Sequence, residues 1–190
     1  DLTLFQPVQS NFRVRYGLEK KIVLLGVAFD WGVRKGLREF IQLASELPDE
    51  YVIVLVGVSP ELRKQLSERI LAIACMQSQR ELAEIYSAAD LFVNPTLEDN
   101  FPTVNLEALA CGTPVLTYRT GGSAESLSPE TGRVVPYGDY PALKQAIFEM
   151  KAMKAEMQAA CRKQAERFSR QEFCKRYLAL YENLQKDGAP

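Results

Sequence analysis

The chain has 190 residues, of which 47% are hydrophobic, and both values are those of one ordinary globular domain. Its formal net charge is −1 and its sequence pI is about 5.7, so no global positive field would attract a nucleic acid. We therefore expect a well-packed hydrophobic core and no nucleic acid partner.

The start of the chain and its cysteines bear on where the protein works. No signal peptide and no membrane-spanning apolar run are visible, which predicts a cytoplasmic protein. Because the sequence opens at Asp1 without Met and in mid-pattern, we expect a piece of a longer chain whose N-terminal half is missing. The cysteines lack C-x-x-C spacing, and buried free thiols in a reducing compartment are the favoured interpretation: Cys75, Cys111, Cys161 and Cys174.

Short apolar runs recur along the chain after a first segment of 20 residues, which is expected to hold one short helix. Continuous apolar runs bounded by charged or turn residues are typical of strands buried on both faces. The predicted strands are 21–27, 51–57, 69–75, 90–93, 114–117 and 131–135. Because helical patterns separate most of them, the sequence predicts an α/β domain with a doubly wound, Rossmann-like parallel sheet of about six strands and helices on both faces.

Several helix starts carry their own signals. Ser59-Pro60-Glu61 combines a cap residue, a proline at the first position and an acid in the first turn. Ser78 with Glu81, and Ser169 with Glu172, have the spacing of capping boxes. In a sheet of this kind, ligands bind outside the carboxyl ends of the strands. The loops that leave these ends are 26–36, 74–78, 95–103 and 119–123.

From Tyr140 onward the sequence predicts two closing helices. Ala146, Met150, Met153, Met157 and Cys161 form an apolar stripe at helical spacing on the first of them. Frequent Lys and Arg leave a membrane-surface helix open as an alternative. Interleaved glutamates favour a solvated face opposite a core stripe.

The stretch 94–115, N-P-T-L-E-D-N-F-P-T-V-N-L-E-A-L-A-C-G-T-P-V, is the most informative part of the sequence. Pro102 suits a first helical position, and Gly112 suits a left-handed helix stop. The helix predicted between them, Thr103 to Cys111, has almost no polar face, so we expect it to be buried nearly all round.

Glu107 is the anomaly in this apolar helix, because a buried carboxylate needs donors. One interpretation is an ion pair with a buried Arg or Lys, and the other is that ligand hydroxyls donate to it. Thr103 lies one turn earlier on the same face, and the helix N-terminus at Phe101 to Val104 offers free amides to an anion. A nucleoside diphosphate, with phosphates at the N-terminus and a sugar diol one turn deeper, would fit both features.

The segment D-N-F-P-T-V-N-L-E-A-L-A-C-G-T-P-V resembles the acid-x7-Glu signature of glycosyltransferase family 4. These are retaining, metal-independent enzymes of the GT-B fold, built from two facing Rossmann-like domains. Asp99 and Glu107 are eight positions apart, as the signature requires, although the family usually has Glu at the first position. The resemblance covers almost the whole chain and implies the C-terminal, donor-binding half of such an enzyme.

The resemblance also implies a domain organisation. Residues 1–20 correspond to the linker segment after the interdomain hinge, and residues 21–140 to a Rossmann-like nucleotide-sugar-binding domain. Residues 141–190 correspond to C-terminal helices, which in the family often return to pack on the other half.

Residue roles follow from the resemblance position by position. Glu107 is expected to hold the ribose hydroxyls, and Lys35, before Gly36, matches the family's Lys-Gly pair that reaches the donor phosphates. Asp99 is expected near the transferred sugar or the acceptor as the catalytic carboxylate, with a capping or turn carboxylate as the alternative. The implied donor-binding residues are Arg34, Lys35, Ile73, Asn100, Phe101, Thr103, Val104 and Glu107.

Two of these assignments rest on departures from the family or on main-chain atoms. The family usually has Arg directly after the first-strand glycine, whereas this chain has Val27, so Arg34 is the candidate for the second phosphate cation, with a solvent-exposed Arg34 as the alternative. Ile73 and Ala74 end the third strand, where the family reads the nucleobase through main-chain groups. Trp31 in the first loop is expected to pack rather than to stack on a base.

No metal and no cofactor are expected beside the nucleoside diphosphate sugar substrate. The sequence has no Asp-x-Asp and no His, which argues against a bound divalent cation. In the family, the donor's own phosphate is thought to accept the proton during retaining transfer, while cations stabilise the leaving diphosphate.

The function that the resemblance implies is transfer of a hexose-like sugar from a nucleoside diphosphate to a glycan or polysaccharide acceptor. The missing N-terminal half would bind the acceptor, so this chain alone is expected to bind nucleotide without efficient transfer. The full-length enzyme is compatible with peripheral membrane association. The alternatives are a non-catalytic nucleotide-binding or assembly module of the same fold, and another sugar-nucleotide enzyme such as an epimerase.

Overall fold

The computed structural model describes residues 1–76 and 78–186, and its centre is one parallel sheet. Six strands lie in the order β3-β2-β1-β4-β5-β6, and all five pairings are parallel. The strands are β1 Ile22–Val27, β2 Tyr51–Val56, β3 Ile70–Ile73, β4 Leu91–Asn94, β5 Val115–Tyr118 and β6 Gly132–Val135. Each coincides with a predicted strand to within two residues at either end, and the doubly wound class is confirmed.

Helices connect the strands and close the chain. The α-helices are α1 Phe12–Tyr16, α2 Leu37–Glu46, α3 Pro60–Arg63, α4 Gln79–Ala88, α5 Thr103–Ala110, α6 Tyr140–Met150, α7 Lys154–Glu166 and α8 Arg170–Lys186. Short 3₁₀ turns, Val33–Lys35 and Ala124–Ser126, follow β1 and β5. Ser59, Ser78 and Ser169 each accept the backbone amide three residues on, which confirms the predicted caps. None of the helices in the described ranges is both long and apolar enough to cross a membrane.

The strand order reverses between β1 and β4, and this position determines where a ligand can bind. The chain builds outward from β1 through β2 to β3, then returns to β4 on the other side of β1 and builds outward to β6. The loops that follow β1 and β4 therefore leave neighbouring strand ends, and the connections that they begin lead to opposite edges of the sheet. Such a switch point is the usual ligand crevice of an open α/β sheet.

The sheet is the core of the molecule. Strands β4 and β5 are buried at every position, and the middle four residues of β1 are buried as well. This is why their sequences read as continuous apolar runs and not as alternating ones. The largest fully buried side chains belong to Phe92 and Tyr118 in the sheet and to Phe40 and Tyr86 on α2 and α4.

Helix α5 differs from its prediction in two ways. Pro102 is the N-cap residue, with φ −74° and ψ 104°, and not the first helical residue, so its extended backbone starts the helix one position later. The helix is also not buried all round, because Thr103 is exposed and Val104, Leu106 and Glu107 are half-buried. The open side of α5 faces a cleft described below.

The end of the chain forms three helices and not the predicted two. The apolar stripe that was assigned to one helix is divided between α6 and α7, with a break before Lys154. The ammonium of Lys154 is buried and donates to the carbonyls of Ser87 and Ala89 at the end of α4. Burial lowers the pKa of Lys154 to about 8. This contact ties the first turn of α7 to the end of α4, and periodicity alone does not reveal it.

The cysteines are all free, and half of them match the prediction of burial. Cys111 and Cys161 are buried, and burial raises the pKa of each thiol to about 12. Cys75 and Cys174 are exposed, so the prediction is wrong for this pair, which lies on a loop and on the outer helix α8.

Arg13 on α1 holds the N-terminal segment against the sheet. Its guanidinium donates to the carbonyls of Ala88 at 2.8 Å and Lys21 at 3.1 Å, and to the carboxylate of Asp90 at 2.6 Å. The same Asp90 oxygen accepts the amide of Val23 at 2.7 Å. One side chain therefore ties α1 to the ends of α4 and the starts of β1 and β4.

Arg13→Ala is expected to lower the free energy of unfolding by about 2 kcal/mol, because three hydrogen bonds of a charged donor are lost. Urea denaturation followed by circular dichroism measures it. Arg15→Ala, on the exposed side of the same helix, is the matched control and should stay within about 0.5 kcal/mol. Equal losses in the two variants would contradict a special role for Arg13.

Candidate functional site

Two loops that leave neighbouring strand ends are tied together at the switch point. The amide of Leu97 and the hydroxyl of Thr96 both donate to the carbonyl of Arg34, at 2.8 and 3.1 Å. Gly36 has φ +75°, and a Cβ there would collide with the carbonyl of Pro95. The Lys-Gly pair therefore needs its glycine for both backbone conformation and close approach.

This junction brings Lys35 and Asp99 into direct contact. The Lys35 Nζ lies 2.6 Å from Asp99 Oδ2, and the side chains are only 24% and 15% exposed. The residues are 64 positions apart in sequence. The predicted phosphate cation and the predicted catalytic carboxylate are thus the two members of one ion pair.

The loop after β5 packs against the backbone of Asp99. Gly121 has φ +43°, and a Cβ on it would collide with the carbonyl of Asp99. Next to it, the amide of Gly122 donates to the carbonyl of Asn100 at 2.8 Å. The glycine pair Gly121-Gly122 therefore serves to let this loop approach the backbone of the β4–α5 loop.

Glu107 lies on the open side of α5, where its donor is a tyrosine. The hydroxyl of Tyr86 on α4 donates to Glu107 Oε2 at 3.0 Å. Within residues 1–76 and 78–186, no Lys or Arg forms an ion pair with Glu107, so a buried ion pair does not explain its presence. Burial raises the pKa of the Glu107 carboxyl, and the bond from Tyr86 acts against that rise. Burial likewise raises the pKa of Tyr86, so it stays a donor.

A cleft of about 870 Å³ runs along this side of α5. The predicted site residues in its wall are Phe101, Thr103 and Glu107, with Leu106 between them. The opposite wall comes from the start of the chain and from the α7–α8 region: Asp1, Leu2, Leu4, Phe5, Ala165, Arg167, Phe168, Ser169, Arg170, Phe173, Arg176 and Tyr177. Phe101 lies between the loop after β5 and the α7–α8 region. Its ring packs against Gly122 in that loop and lies 5.7 Å from the ring of Phe168.

The other predicted site residues lie around these two groups. Arg34 is exposed beside Lys35, and Asn100 is exposed next to Asp99. Val104 is half-buried in the first turn of α5. Ile73 is at the end of β3, where its carbonyl already accepts the amides of Gly57 and Val58, both at 3.0 Å. With both lone pairs engaged, this carbonyl is not available to a nucleobase.

Trp31 packs, as predicted. Its indole nitrogen donates to the carbonyl of Val56 at 2.9 Å, and its ring meets Phe40 edge-on at 5.5 Å. Among the described residues, no group of three or more metal-ligating side chains is present.

A buried polar chain beneath the site was not anticipated from the sequence. Asn94 at the end of β4 donates to Asn105 Oδ1 at 2.8 Å, and Asn105 donates to the hydroxyl of Ser126 at 3.1 Å. Asn105 is fully buried in α5. These two hydrogen bonds link β4, α5 and the turn after Gly122. A buried Asn in an otherwise apolar helix was the available signal, since such a group requires partners.

The strand order and this crevice define a class of protein, namely a Rossmann-like α/β domain with a candidate ligand site at the carboxyl edge of the sheet. The model of the family described as glycosyl transferases group 1 matches residues 19–152. The chain therefore belongs to this family, and the resemblance predicted from stretch 94–115 is confirmed.

Individual relatives agree with this assignment. An α-1,3-N-acetylgalactosaminyltransferase of Campylobacter jejuni, which acts on N,N′-diacetylbacillosaminyl-diphospho-undecaprenol according to its name, is 26% identical over 89% of this chain. Sucrose-phosphate synthase 4 of Arabidopsis thaliana is 28% identical over 88%. The solved sucrose-phosphate synthase of Thermosynechococcus elongatus is 28% identical over 99%, with a TM-score of 0.82.

The solved HepE protein of Anabaena, in complex with UDP, has the same fold, with a TM-score of 0.80 and 19% identity over 97% of this chain. In every one of these comparisons the chain spans about half of the relative or less. It covers 46% of the Campylobacter enzyme and 17% of the Arabidopsis enzyme. The corresponding shares of the solved chains are 51% and 56%.

Proposed function

We propose that this chain is the donor-binding C-terminal half of a retaining, metal-independent glycosyltransferase. The observation that carries the proposal is the position of Glu107 in the wall of the cleft, one turn after Thr103, with Tyr86 donating to Oε2. A carboxylate held in this way by a neutral donor keeps its second oxygen as an acceptor for a pair of ribose hydroxyls.

The diphosphate is assigned to the N-terminal end of α5 and to Lys35. Free amides and the helix dipole at Thr103 and Val104 favour an anion there. A helix end alone contributes only about 0.3–1 kcal/mol near the surface, so a cation is needed as well. Lys35 supplies one cation, because the hydrogen bonds of Leu97 and Thr96 to the Arg34 carbonyl hold its loop against the β4–α5 loop. Exposed Arg34 supplies a second cation. That the HepE protein of the same fold was solved with UDP supports a nucleoside diphosphate as the ligand.

The transfer step assigned to this site needs no enzyme base on this half. The bond between the sugar carbon and the diphosphate oxygen breaks, and a bond to the acceptor oxygen forms on the same face of the sugar. The acceptor's proton passes to the departing diphosphate, whose charge Lys35 and the α5 amides stabilise. Asp99, which contacts Lys35, is assigned to the transferred sugar.

The whole enzyme is larger than this chain in the proposal. Residues 1–20 form the linker after the hinge, 21–140 the nucleotide-sugar-binding domain and 141–190 the C-terminal helices. An N-terminal half supplies the glycan acceptor site, so the isolated chain binds nucleotide but does not transfer sugar efficiently. The second candidate is a non-catalytic module of the same fold. Val27, which stands where the family places a phosphate-binding Arg, is the observation that favours it.

Calorimetric titration of the chain with UDP, GDP and ADP, each with and without magnesium, tests the proposal. We expect saturable binding of one nucleotide with an affinity that magnesium does not change. Binding that requires magnesium would contradict the metal-independent site. Absence of binding to all three would favour the non-catalytic module.

A further inference from the structure

The ion pair between Lys35 and Asp99 joins the two groups that the proposed function gives opposite tasks. Lys35 is to attract the diphosphate, whereas Asp99 is a negative charge 2.6 Å from the same ammonium. We propose that Asp99 is a built-in competitor of the diphosphate for Lys35, which weakens nucleotide binding and promotes release of the product. This inference rests on the proposed function and adds an affinity-setting role to the same site.

The backbone around the pair keeps Asp99 within reach of Lys35. The Arg34 carbonyl accepts the amide of Leu97, and Gly36 packs on Pro95, so the two loops are joined at two points. Gly121 closes on the carbonyl of Asp99 from the other side. The carboxylate can therefore rotate about its side-chain bonds, but its Cα stays beside the lysine.

Electrostatics then set the direction of the effect. An ammonium has three protons, so a diphosphate oxygen and Asp99 can both approach it. Two anions that share one cation at this distance repel each other, and this repulsion is screened only partly because the pair is mostly buried. In the described part of the chain, Lys35 is the one ion-pair partner of Asp99. Whether the ligand shares Lys35 or displaces Asp99 from it, the charge of Asp99 reduces its affinity.

This competition affects the last step of the catalytic cycle, which is release of the nucleoside diphosphate. Sugar transfer leaves a nucleoside diphosphate that has taken up the acceptor's proton. Once this proton is lost to solvent, the product carries one more negative charge than the donor had, and Lys35 holds it more strongly than the donor. An anion that stays next to Lys35 replaces the product as its counterion and so lowers the barrier to release. Product release limits turnover in many enzymes, so such a competitor favours turnover.

Titration with UDP of the parent, Asp99→Asn and Glu98→Gln tests the inference. Asn keeps the shape and an acceptor for Lys35 but removes the charge, and we expect UDP to bind about fivefold more tightly. Glu98 is exposed on the same loop, so Glu98→Gln removes an equal charge that does not contact Lys35 and should change affinity by less than about twofold. Unchanged or weaker binding of UDP to Asp99→Asn would overturn the inference.

Two further ligands separate this inference from the proposed function. Inorganic pyrophosphate should gain affinity for Asp99→Asn as UDP does, whereas uridine, which lacks phosphates, should gain none. If the parent binds pyrophosphate but no nucleotide, and Asp99→Asn binds pyrophosphate more tightly, the competitor role of Asp99 stands and the nucleotide function is wrong. If the parent binds neither UDP nor pyrophosphate, both fall.

A second variant guards against a fold effect of the first. Asp99→Ser removes the charge and shortens the side chain, and it should increase UDP affinity in the same direction. In a Lys35→Met background, Asp99→Asn should lose most of its gain, because the competition acts through Lys35. A gain that persists in full without Lys35 would overturn the mechanism.

Discussion

Glu107→Gln is expected to weaken binding of the preferred nucleoside diphosphate about tenfold or more, which is on the order of 1.4 kcal/mol. Glutamine preserves the shape of the side chain, but a neutral acceptor forms weaker hydrogen bonds to ribose hydroxyls than a carboxylate does. Calorimetric titration at pH 7 measures the change. Unchanged affinity would mean that Glu107 is a structural carboxylate held by Tyr86.

The stability of this variant provides the control. Burial raises the pKa of Glu107 above that of the unfolded chain, so folding favours the protonated form. The stability that this group contributes is complete below the unfolded pKa and is lost as the pH rises through the folded pKa. At pH 7 the parent therefore carries the cost of a buried charge. Glu107→Gln should melt at the same temperature as the parent or higher at pH 7, and this advantage should shrink near pH 4.

Gly121→Ala is expected to have the largest effect on the fold, a loss of about 3 kcal/mol in the free energy of unfolding. It combines a backbone at φ +43° with a methyl group that collides with the carbonyl of Asp99. The collision has to push the β5 loop away from the β4–α5 loop. The same displacement disturbs Phe101 and the amides at the start of α5 that the proposal assigns to the diphosphate. We expect this loss to outweigh any relief from Asp99, so UDP affinity should fall at least about tenfold in the same variant.

Gly138→Ala is the matched control for this prediction. Gly138 has φ +68° and is exposed, but a Cβ on it meets no atom within 4 Å. This variant should lose only about 1 kcal/mol, from backbone strain, with nucleotide affinity unchanged. Thermal melting and titration of the two variants side by side separate strain from collision. Equal behaviour would contradict the close approach at Gly121.

The sheet could be predicted from the sequence because buried parallel strands have a distinct pattern. The runs at β1, β2 and β4 are apolar on both faces, and turn residues or cap residues bound them. The end of the chain was harder, because a helical stripe continues in phase across the break before Lys154. The contact of Lys154 with the carbonyls of Ser87 and Ala89, at the start of α7, joins residues that are far apart in sequence.

The site could be predicted in part. The acid-x7-Glu spacing and the Lys-Gly pair provided the candidate residues, because those features are local. Their partners were not visible, since Lys35 meets Asp99 across 64 positions and Glu107 meets Tyr86 across 21. The partners of the Ile73 carbonyl were not visible for a similar reason, because the residues that donate to it, Gly57 and Val58, belong to another loop.

The position of β1 in the sheet also bears on the order of folding. β1 pairs with β2, the next strand in the chain. Its contact with β4 joins Leu24 to Leu91 and Leu25 to Phe92, and the segment between them contains β2, β3 and the helices that connect them. Closing so long a segment is slow compared with forming local hairpins or helices. The half containing β1 to β3 can therefore assemble before β4 docks. The proposed diphosphate contacts Lys35 on one half and α5 on the other, so it can bind only after the halves have docked. It would therefore stabilise the folded state without affecting the early folding steps.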